Sequence, residues 1–328
     1  MRDRRARDLK EGRDAMSPPR GYAADETRVI PATWSHLTST GSSSPSSSAY
    51  ATVLANRDTG DRVVGAEHLL AALECLGVDN VRIEVAGGDE VPALEGGALG
   101  WSDIVHRTGL VPAPSDVVDD AVDQRDDDND DASVTARYRP VIQEMIRVED
   151  PTTGSFCAFF PGGDECVVSA GVDWEEVPLV GKKWAAWSVD RGDHFMFEIA
   201  NAKHGIPSKE AYISLYKAGY FTQLSEQQMA LATGGGKRWA VPAAISHVSD
   251  EPARHRVLDL LGDLSTLARP GHSGLPKGHV VMWKGDHALQ ARFVQALGAA
   301  IETGEGERCV ERELLSEEAA RAKLKGEA

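Results

Sequence analysis

The chain has 328 residues, of which 41% are hydrophobic, and its 51 acidic and 35 basic residues give a formal net charge of −16. This composition is typical of a soluble globular protein, and the acidic balance argues against nucleic acid or an anionic membrane surface as the main partner. The four cysteines form no C-x-x-C pair, which indicates reduced thiols, and no apolar run reaches the roughly 18 residues of a membrane span.

Residues 1–27 contain few apolar side chains, so we predict a disordered leader. The leader is rich in arginine, but it also contains Asp3, Asp8, Glu11 and Asp14, which a transit peptide lacks, and it has no apolar segment for secretion. We therefore predict a cytoplasmic protein, with a mitochondrion or another organelle as the alternative compartment.

Residues 28–111 are predicted to form a first α/β sandwich domain. Ala49–Ala55 and the alternating run Val81–Val85 are typical of strands. The Leu- and Ala-rich run from Ala66 predicts a helix that ends at Gly77, and a second helix is predicted over Trp101–Thr108. This order of elements indicates an α+β layer, in which two helices cover one face of a small sheet.

Residues 112–137 are predicted to be an acidic linker between two domains. Nine aspartates lie between Asp116 and Asp131, and a run of like charges repels itself and stays extended. A calcium loop at Asp126–Asp130 would need a glycine at its turn and a distal glutamate, and the run has neither.

Residues 138–310 are predicted to form a second α/β sandwich domain, followed by a charged tail over 311–328. Strand patterns recur through this domain, at 140–143, 145–148, 156–160, 166–168, 184–189, 195–200 and 278–284. Helices are predicted over 208–218, with Ser208 as the N-cap, over 254–263 and over 288–301. Gly234–Gly236 lacks the spacing of a phosphate loop and predicts a glycine-rich hairpin.

Three groups of polar residues have side chains suited to chemistry. They are Glu67 and His68 at the start of a predicted helix, His255, Asp259 and Asp263 on one face of another, and Lys284–His287 at a strand-to-helix junction. Each group alone has a structural explanation, because a Glu-His pair usually begins a solvated helix and a polar stripe usually faces water.

One part of this set predicts a zinc site. His255 and Asp259 are four residues apart on a helix and can hold one metal ion between them. With His68 they would give zinc two imidazoles and a carboxylate, leaving one position open for water. Zinc lowers the pKa of such a water toward about 7, which produces hydroxide near neutral pH.

The remaining groups predict acid–base chemistry beside that metal. Glu67 would accept the water proton as general base. His287, when protonated, would stabilise the developing oxyanion or protonate the leaving amine. Asp263 would hold His287 charged and oriented.

Four blocks of the sequence occur together in a diagnostic order. They read V-V-G-A-E-H-L-L-A-A-L-E-C-L-G-V-D-N-V-R-I-E-V, E-V-P-A-L-E-G-G-A, R-H-R-V-L-D-L-L-G-D-L and K-G-D-H-A-L. In combination they resemble the UDP-3-O-acyl-N-acetylglucosamine deacetylase family over about residues 28–297, with a spacing most similar to the plant-type branch.

The resemblance implies two α/β sandwich domains, each a sheet layered on helices, with the zinc site between them and a passage for an acyl chain in the second domain. It implies a zinc amidase of lipid A biosynthesis, which removes acetate from the 2-amino group of UDP-3-O-(3-hydroxyacyl)-N-acetylglucosamine. The expected cofactor is Zn²⁺, the expected partner is this UDP-linked acylated amino sugar, and we expect a monomer.

The resemblance also assigns roles to individual positions. It matches the zinc ligands with His68, His255 and Asp259, the general base with Glu67, the catalytic histidine with His287 and the carboxylate partner of that histidine with Asp263. It places substrate-binding side chains at Lys284, at Arg256, where the family usually has lysine, and at Lys203. An arginine keeps the charge of a lysine but changes the geometry of its donors.

Three departures from the family pattern support an alternative, an inactive or truncated homologue that keeps the fold and binds a ligand or partner. First, the strand-rich segment that precedes this region in the family has no counterpart before residue 28.

The second departure is that the family's R-T-F-G reads Ala202–Gly205, so Lys203 replaces the threonine that holds the oxyanion, and Lys203 or His204 would have to donate that hydrogen bond. The third is that the family's K-[SG]-G-H reads Lys284–His287, and the added carboxylate of Asp286 predicts a raised pKa for His287. An unrelated zinc hydrolase of another acylated amine is a further alternative.

Overall fold

The computed structural model describes residues 29–38, 50–94, 96–111, 139–189, 194–218, 221, 224–247, 249–269 and 272–303. The predicted leader, acidic linker and charged tail lie outside these residues. The described part is a mixed α/β structure whose sheets have two, five and three strands. This arrangement confirms the predicted α+β class.

The first part of the fold is a small sheet followed by two helices. Strands β1 (Val53–Ala55) and β2 (Arg62–Val64) pair antiparallel. Helices α1 (Glu67–Cys75) and α2 (Ala98–Thr108) follow. Gly77 has a φ of +73° and its backbone N–H donates to the last turn of α1, which confirms the predicted cap.

The strand predicted at Val81–Val85 is wrong. The segment forms no strand, and the side chains of Val81 and Ile83 are 54% and 43% exposed. Its alternating pattern predicted one covered face, but no strand in the described part of the chain pairs with this backbone. Without a neighbouring strand the hydrogen bonds of a ladder cannot form.

The second part begins with two antiparallel strand pairs. They are β3 (Ile146–Asp150) with β4 (Ser155–Phe160), and β5 (Cys166–Trp174) with β6 (Gly181–Ser188). The strands predicted in these regions are confirmed. The strand predicted at 140–143 is wrong, because Val141 makes only a single bridge, to Lys277.

A smaller unit follows β6 in the chain. Its elements are α3 (His194–Glu198), β7 (His204–Ile206), α4 (Lys209–Lys217), β8 (Met229–Thr233) and β9 (Arg238–Trp239). β8 pairs parallel with β7 and antiparallel with β9. The hydroxyl of Ser208 accepts from Ala211 N at 3.1 Å, and Gly234–Gly236 turn the chain between β8 and β9, so the predicted N-cap and glycine-rich hairpin are both confirmed.

The strand predicted at 195–200 is wrong, because most of this segment is helix α3. Ile199 N donates to Phe195 O at 3.0 Å, and both side chains are almost fully buried, whereas Phe197 is 77% exposed. Burial therefore recurs after four residues, the spacing of a helix, and not after two as in a strand.

The last three elements complete the core. They are α5 (Glu251–Ser265), β10 (Gly278–Trp283) and α6 (His287–Thr303). β10 enters between β4, to which it is antiparallel, and β5, to which it is parallel, giving the order β3–β4–β10–β5–β6. α5 packs between α1 and the face of β5 and β6, so it is buried on nearly all sides.

One continuous hydrophobic core joins the two predicted domains. It includes Leu69 and Leu70 of α1 together with Leu258 and Leu261 of α5. The helical layers of both parts therefore pack directly on each other. None of the helices in the described part combines the length and the apolar character that crossing a membrane requires.

Candidate metal centre

The beginning of α1 lies directly against α5 because Gly262 lets the two backbones touch. A Cβ at position 262 would lie 2.7 Å from Glu67 C and 2.8 Å from Glu67 Cα. Such a distance is well inside van der Waals contact, so a side chain at this position would force the helices apart. The close approach brings Glu67 and His68 beside Asp259 and His255, which lie one and two turns before Gly262 in α5.

The three predicted metal ligands converge at this crossing. Asp259 Oδ1 lies 3.4 Å from His68 Nε2 and 3.5 Å from His255 Nε2. The ligand atoms of the three side chains all lie within 4.8 Å of one another. A tetrahedral zinc ion bonded at 2.0–2.1 Å would hold its ligand atoms about 3.3–3.4 Å apart. The side chains therefore stand close to the spacing that zinc requires.

Two of these ligand atoms have no hydrogen bond in the described structure. His68 Nε2 and Asp259 Oδ1 are both buried and unsatisfied. A buried polar atom without a partner costs about 1–3 kcal/mol, so two of them facing each other indicate a place for a ligand. The ring of the third ligand is held by a hydrogen bond on its other nitrogen, because His255 Nδ1 donates to Ala202 O at 2.9 Å. His255 Nε2 is thereby directed toward Asp259. This donor set fits zinc.

The predicted acid–base residues lie at the same carboxylate. Glu67, Asp259 and His287 form a second group whose donor atoms lie within 4.8 Å of one another. His287 Nε2 lies 3.8 Å from Asp259 Oδ2. Glu67 is 6% exposed, and its Oε2 accepts from the backbone N–H of Thr52 at 3.0 Å.

Thr52 connects these residues and was not predicted. Its hydroxyl donates to Asp263 Oδ1 at 2.5 Å and lies 3.3 Å from His287 Nδ1. A hydroxyl has a single hydrogen, which is given to Asp263, so the Thr52 oxygen accepts from the Nδ1–H of His287. The contact between Asp263 and His287 therefore runs through Thr52, and Nε2 of His287 faces Asp259.

Burial and neighbouring charges shift the pKa values of the ligands in opposite directions. Burial opposes ionisation of Asp259, but the imidazoles of His255 and His287 outweigh it and hold the pKa of Asp259 well below its usual range. Burial lowers the pKa of His255 to about 4, so its imidazole is neutral near pH 7. Burial also lowers the pKa of His68, but the carboxylates of Asp259 and Glu67 raise it further than burial lowers it. A metal at His68 therefore competes with a proton.

The acid–base pair is shifted mainly by burial. Burial raises the pKa of Asp263 well above its usual range, and the carboxylates of Glu67 and Asp259 add to this rise against the Thr52 hydrogen bond. Burial lowers the pKa of His287. The predicted rise in the pKa of His287 from Asp286 is therefore wrong. Asp286 instead caps α6, because its Oδ1 accepts from Leu289 N at 2.8 Å.

The three predicted substrate-binding residues differ in what they contact. Arg256 Nη1 donates to Asp259 Oδ2 at 3.0 Å, so its charge is applied to a predicted metal ligand. Lys203 Nζ donates to Asn201 Oδ1 at 2.8 Å. Lys284 is exposed immediately after β10 and has a φ of +54°, in the left-handed region.

His204, at the start of β7, also reaches the centre. Its Nδ1 lies 3.2 Å from His255 Nε2, and the two rings stand at 90°. Its other side contacts the ring of Phe221, with centroids 4.8 Å apart. The buried Glu251 accepts from Lys203 N at 2.8 Å and so ties this segment to α5.

Comparison with known proteins decides the family. The model of the UDP-3-O-acyl N-acetylglycosamine deacetylase (LpxC) family matches residues 22–299. The chain belongs to this family.

Named relatives of this deacetylase family come from plants and cyanobacteria. The chain is 30% identical over 237 residues to the probable UDP-3-O-acyl-N-acetylglucosamine deacetylase 1, mitochondrial, of Arabidopsis thaliana, covering 70% of this chain and 66% of that protein. It is 32% identical over 250 residues to the UDP-3-O-acyl-N-acetylglucosamine deacetylase of Nostoc sp., covering 75% of this chain and 76% of that protein. The chain thus matches about two thirds of the length of the plant relative.

Proposed function

We propose that this chain is a zinc-dependent amidase that removes acetate from UDP-3-O-(3-hydroxyacyl)-N-acetylglucosamine, a step of lipid A biosynthesis. One observation carries the proposal. The donor atoms of His68, His255 and Asp259 converge at the spacing of a zinc site, and two of them are buried without a hydrogen bond. The names of the relatives supply the substrate class.

The protonation states of the ligands support the proposal as well as their positions do. Zinc held by His68, His255 and Asp259 would supply a Lewis acid that strengthens water as a nucleophile and polarises the acetyl carbonyl. Burial keeps His255 neutral near pH 7, and the pKa of Asp259 lies well below its usual range, so both residues are in the forms that bind a metal.

Glu67 and His287 move the protons. The water oxygen forms a bond to the acetyl carbon while Glu67 takes the water proton, since its carboxylate is held in place by Thr52 N. The bond between that carbon and the sugar nitrogen then breaks. His287 in its protonated form gives a proton to the leaving amine, and acetate is released. Thr52 sets the orientation of His287 by accepting its Nδ1–H.

Zinc content and acetate release, measured on the same samples, test the proposal. We expect the wild type to bind zinc and release acetate from the UDP-sugar. Glu67→Gln should keep the zinc and lose activity by about 100-fold or more, because a general base contributes 10²–10⁴-fold. Glu74→Gln is the matched control, since Glu74 is another buried glutamate of α1 but contacts Ser273 and not the metal centre.

The alternative function predicts a different outcome. Zinc binding by the wild type with no acetate release would show an inactive homologue that keeps the fold and the metal. Absence of zinc from the folded wild type would refute the metal centre itself.

We propose that 28–111 and 138–310 are two domains that share one core and are joined by 112–137. We also propose a monomer, which light scattering on the purified chain tests. The proposed compartment is the cytoplasm or, as the names of the plant relatives say of those proteins, the mitochondrion. Imaging of a carboxy-terminally tagged chain distinguishes the two.

A further inference from the structure

The chain segment just before His204 is fixed to α5 by two hydrogen bonds. Glu251 is fully buried, and its two carboxylate oxygens accept from Lys203 N at 2.8 Å and from His247 N at 2.9 Å. Ala202 O accepts from His255 Nδ1 at 2.9 Å. Backbone contacts at the two residues before it, Ala202 and Lys203, therefore hold His204 in a defined position beside His255.

The hydrogen positions of the two imidazoles follow from these contacts. A carbonyl oxygen only accepts, so His255 Nδ1 carries a hydrogen. A neutral imidazole, the form that binds a metal, carries only this one hydrogen, so Nε2 of His255 presents a lone pair. The nitrogen 3.2 Å away, His204 Nδ1, must then be the donor.

This hydrogen bond uses the lone pair that a metal at His255 would need. His204 itself is not among the converging ligand atoms in the described residues, which belong to His68, His255 and Asp259. In its present position it is therefore the neighbour of a ligand. The other candidate donor, the Lys203 ammonium, is directed to Asn201 Oδ1 at 2.8 Å.

We propose that His204 is a switching hydrogen-bond donor, which occupies the His255 lone pair in the metal-free protein and donates to the acetyl carbonyl oxygen of the substrate in the zinc-loaded protein. The inference rests on the proposed function, because zinc must bind His255 for the switch to occur. Once Nε2 is bonded to the metal, the Nδ1–H of His204 needs another acceptor. The acetyl oxygen of a substrate bound beside these ligands would supply that acceptor, and a donor directed at it would stabilise the charge that develops there.

The first test is nuclear magnetic resonance of the full chain with ¹⁵N-labelled histidines, which needs no substrate. Without metal, we expect a through-hydrogen-bond coupling between His204 Nδ1 and His255 Nε2. Added zinc should abolish this coupling and leave the hydrogen on His204 Nδ1. Absence of the coupling without metal, its persistence with zinc, or a direct zinc bond to His204 would each overturn the inference.

The second test measures the acetate affinity of the cobalt-substituted protein by its visible spectrum. His204→Phe should weaken acetate binding about fivefold to tenfold, the effect of one lost hydrogen bond. His204→Asn should stay within about twofold of the wild type, because its amide N–H occupies the place of Nδ1–H. Equal affinity of the Phe variant and the wild type would overturn the donor role.

Failure of the inference and failure of the proposed function give different spectra. If zinc shifts the signals of His68 and His255 while the His204 coupling stays, only the switch is refuted. If zinc shifts neither signal, the metal centre is refuted, and the switch with it.

Discussion

Replacing Gly262 with alanine should disturb the metal centre without touching any of its side chains. The new Cβ would lie 2.7 Å from Glu67 C and 2.8 Å from Glu67 Cα, where carbon atoms normally keep about 3.5–4.0 Å. Both contacts are with backbone, so the start of α1 must move away from α5 by about 1 Å. His68 moves with it, while His255 and Asp259 stay on α5.

The substitution should affect stability and zinc affinity to different degrees. Overpacking costs about 1–3 kcal/mol, and alanine in a helix returns about 1 kcal/mol relative to glycine, so the metal-free protein loses little stability. Metal–ligand distances tolerate only about 0.2 Å, so a shift of about 1 Å should weaken zinc binding about tenfold or more. Zinc affinity is therefore the sensitive readout, measured by competition with a chromophoric chelator.

Gly298→Ala is the matched control for this experiment. Gly298 is also a helical glycine under a tight contact, because its Cβ would lie 2.5 Å from Trp34 Cγ, but it lies in α6 away from the ligands. We expect this variant to be destabilised by a similar amount and to bind zinc like the wild type. Wild-type zinc affinity in folded Gly262→Ala would refute the claim that this helix contact positions the ligands.

Three further predictions follow from the same contacts. Thr52→Val should keep zinc and lower acetate release at least about tenfold, because both Asp263 and His287 lose a hydrogen-bond partner; unchanged release would contradict this. In the metal-free protein, burial lowers the pKa of His255 from the ordinary histidine value of about 6.5 to about 4, so the unfolded chain binds the proton first and stability is lost as pH falls from about 6.5 toward about 4. Chemical denaturation should show a shallower pH dependence in that window for His255→Asn, and equal slopes would refute the buried neutral imidazole. Burial raises the pKa of the Cys157 thiol, so a thiol reagent should label Cys157 only after unfolding, as mass spectrometry can verify.

Helix α5, which carries two of the three metal ligands, could be predicted because the residues that define it are close together in the sequence. His255 and Asp259 share a face through the period of the helix, and Leu258 and Leu261 mark the sides that pack. Glu67 and His68 were candidates by residue type, but only the family resemblance supported placing them beside His255 and Asp259, because nothing in their own segment shows that α1 crosses α5. The contact that causes this crossing depends on Gly262. A glycine within a helical pattern does not show which backbone will pack against it.

The parts that could not be predicted depend on contacts between distant segments. Thr52 meets Asp263 across 211 positions of the chain, and no local pattern marks a threonine just before a short strand as a bridge between an acid and a histidine. Val81–Val85 has a strand pattern, but a strand also needs a neighbour, and the pattern does not contain one. At 195–200, runs of phenylalanine and methionine suit both periods, and packing of Phe195 with Ile199 selected the helix.

The most direct test of the metal centre is a crystal structure of the zinc-loaded chain with anomalous data collected at the zinc edge. We predict one strong anomalous peak about 2.0–2.1 Å from His68 Nε2, His255 Nε2 and Asp259 Oδ1. A peak bound to other side chains, or no peak at the crossing of α1 and α5, would contradict the account.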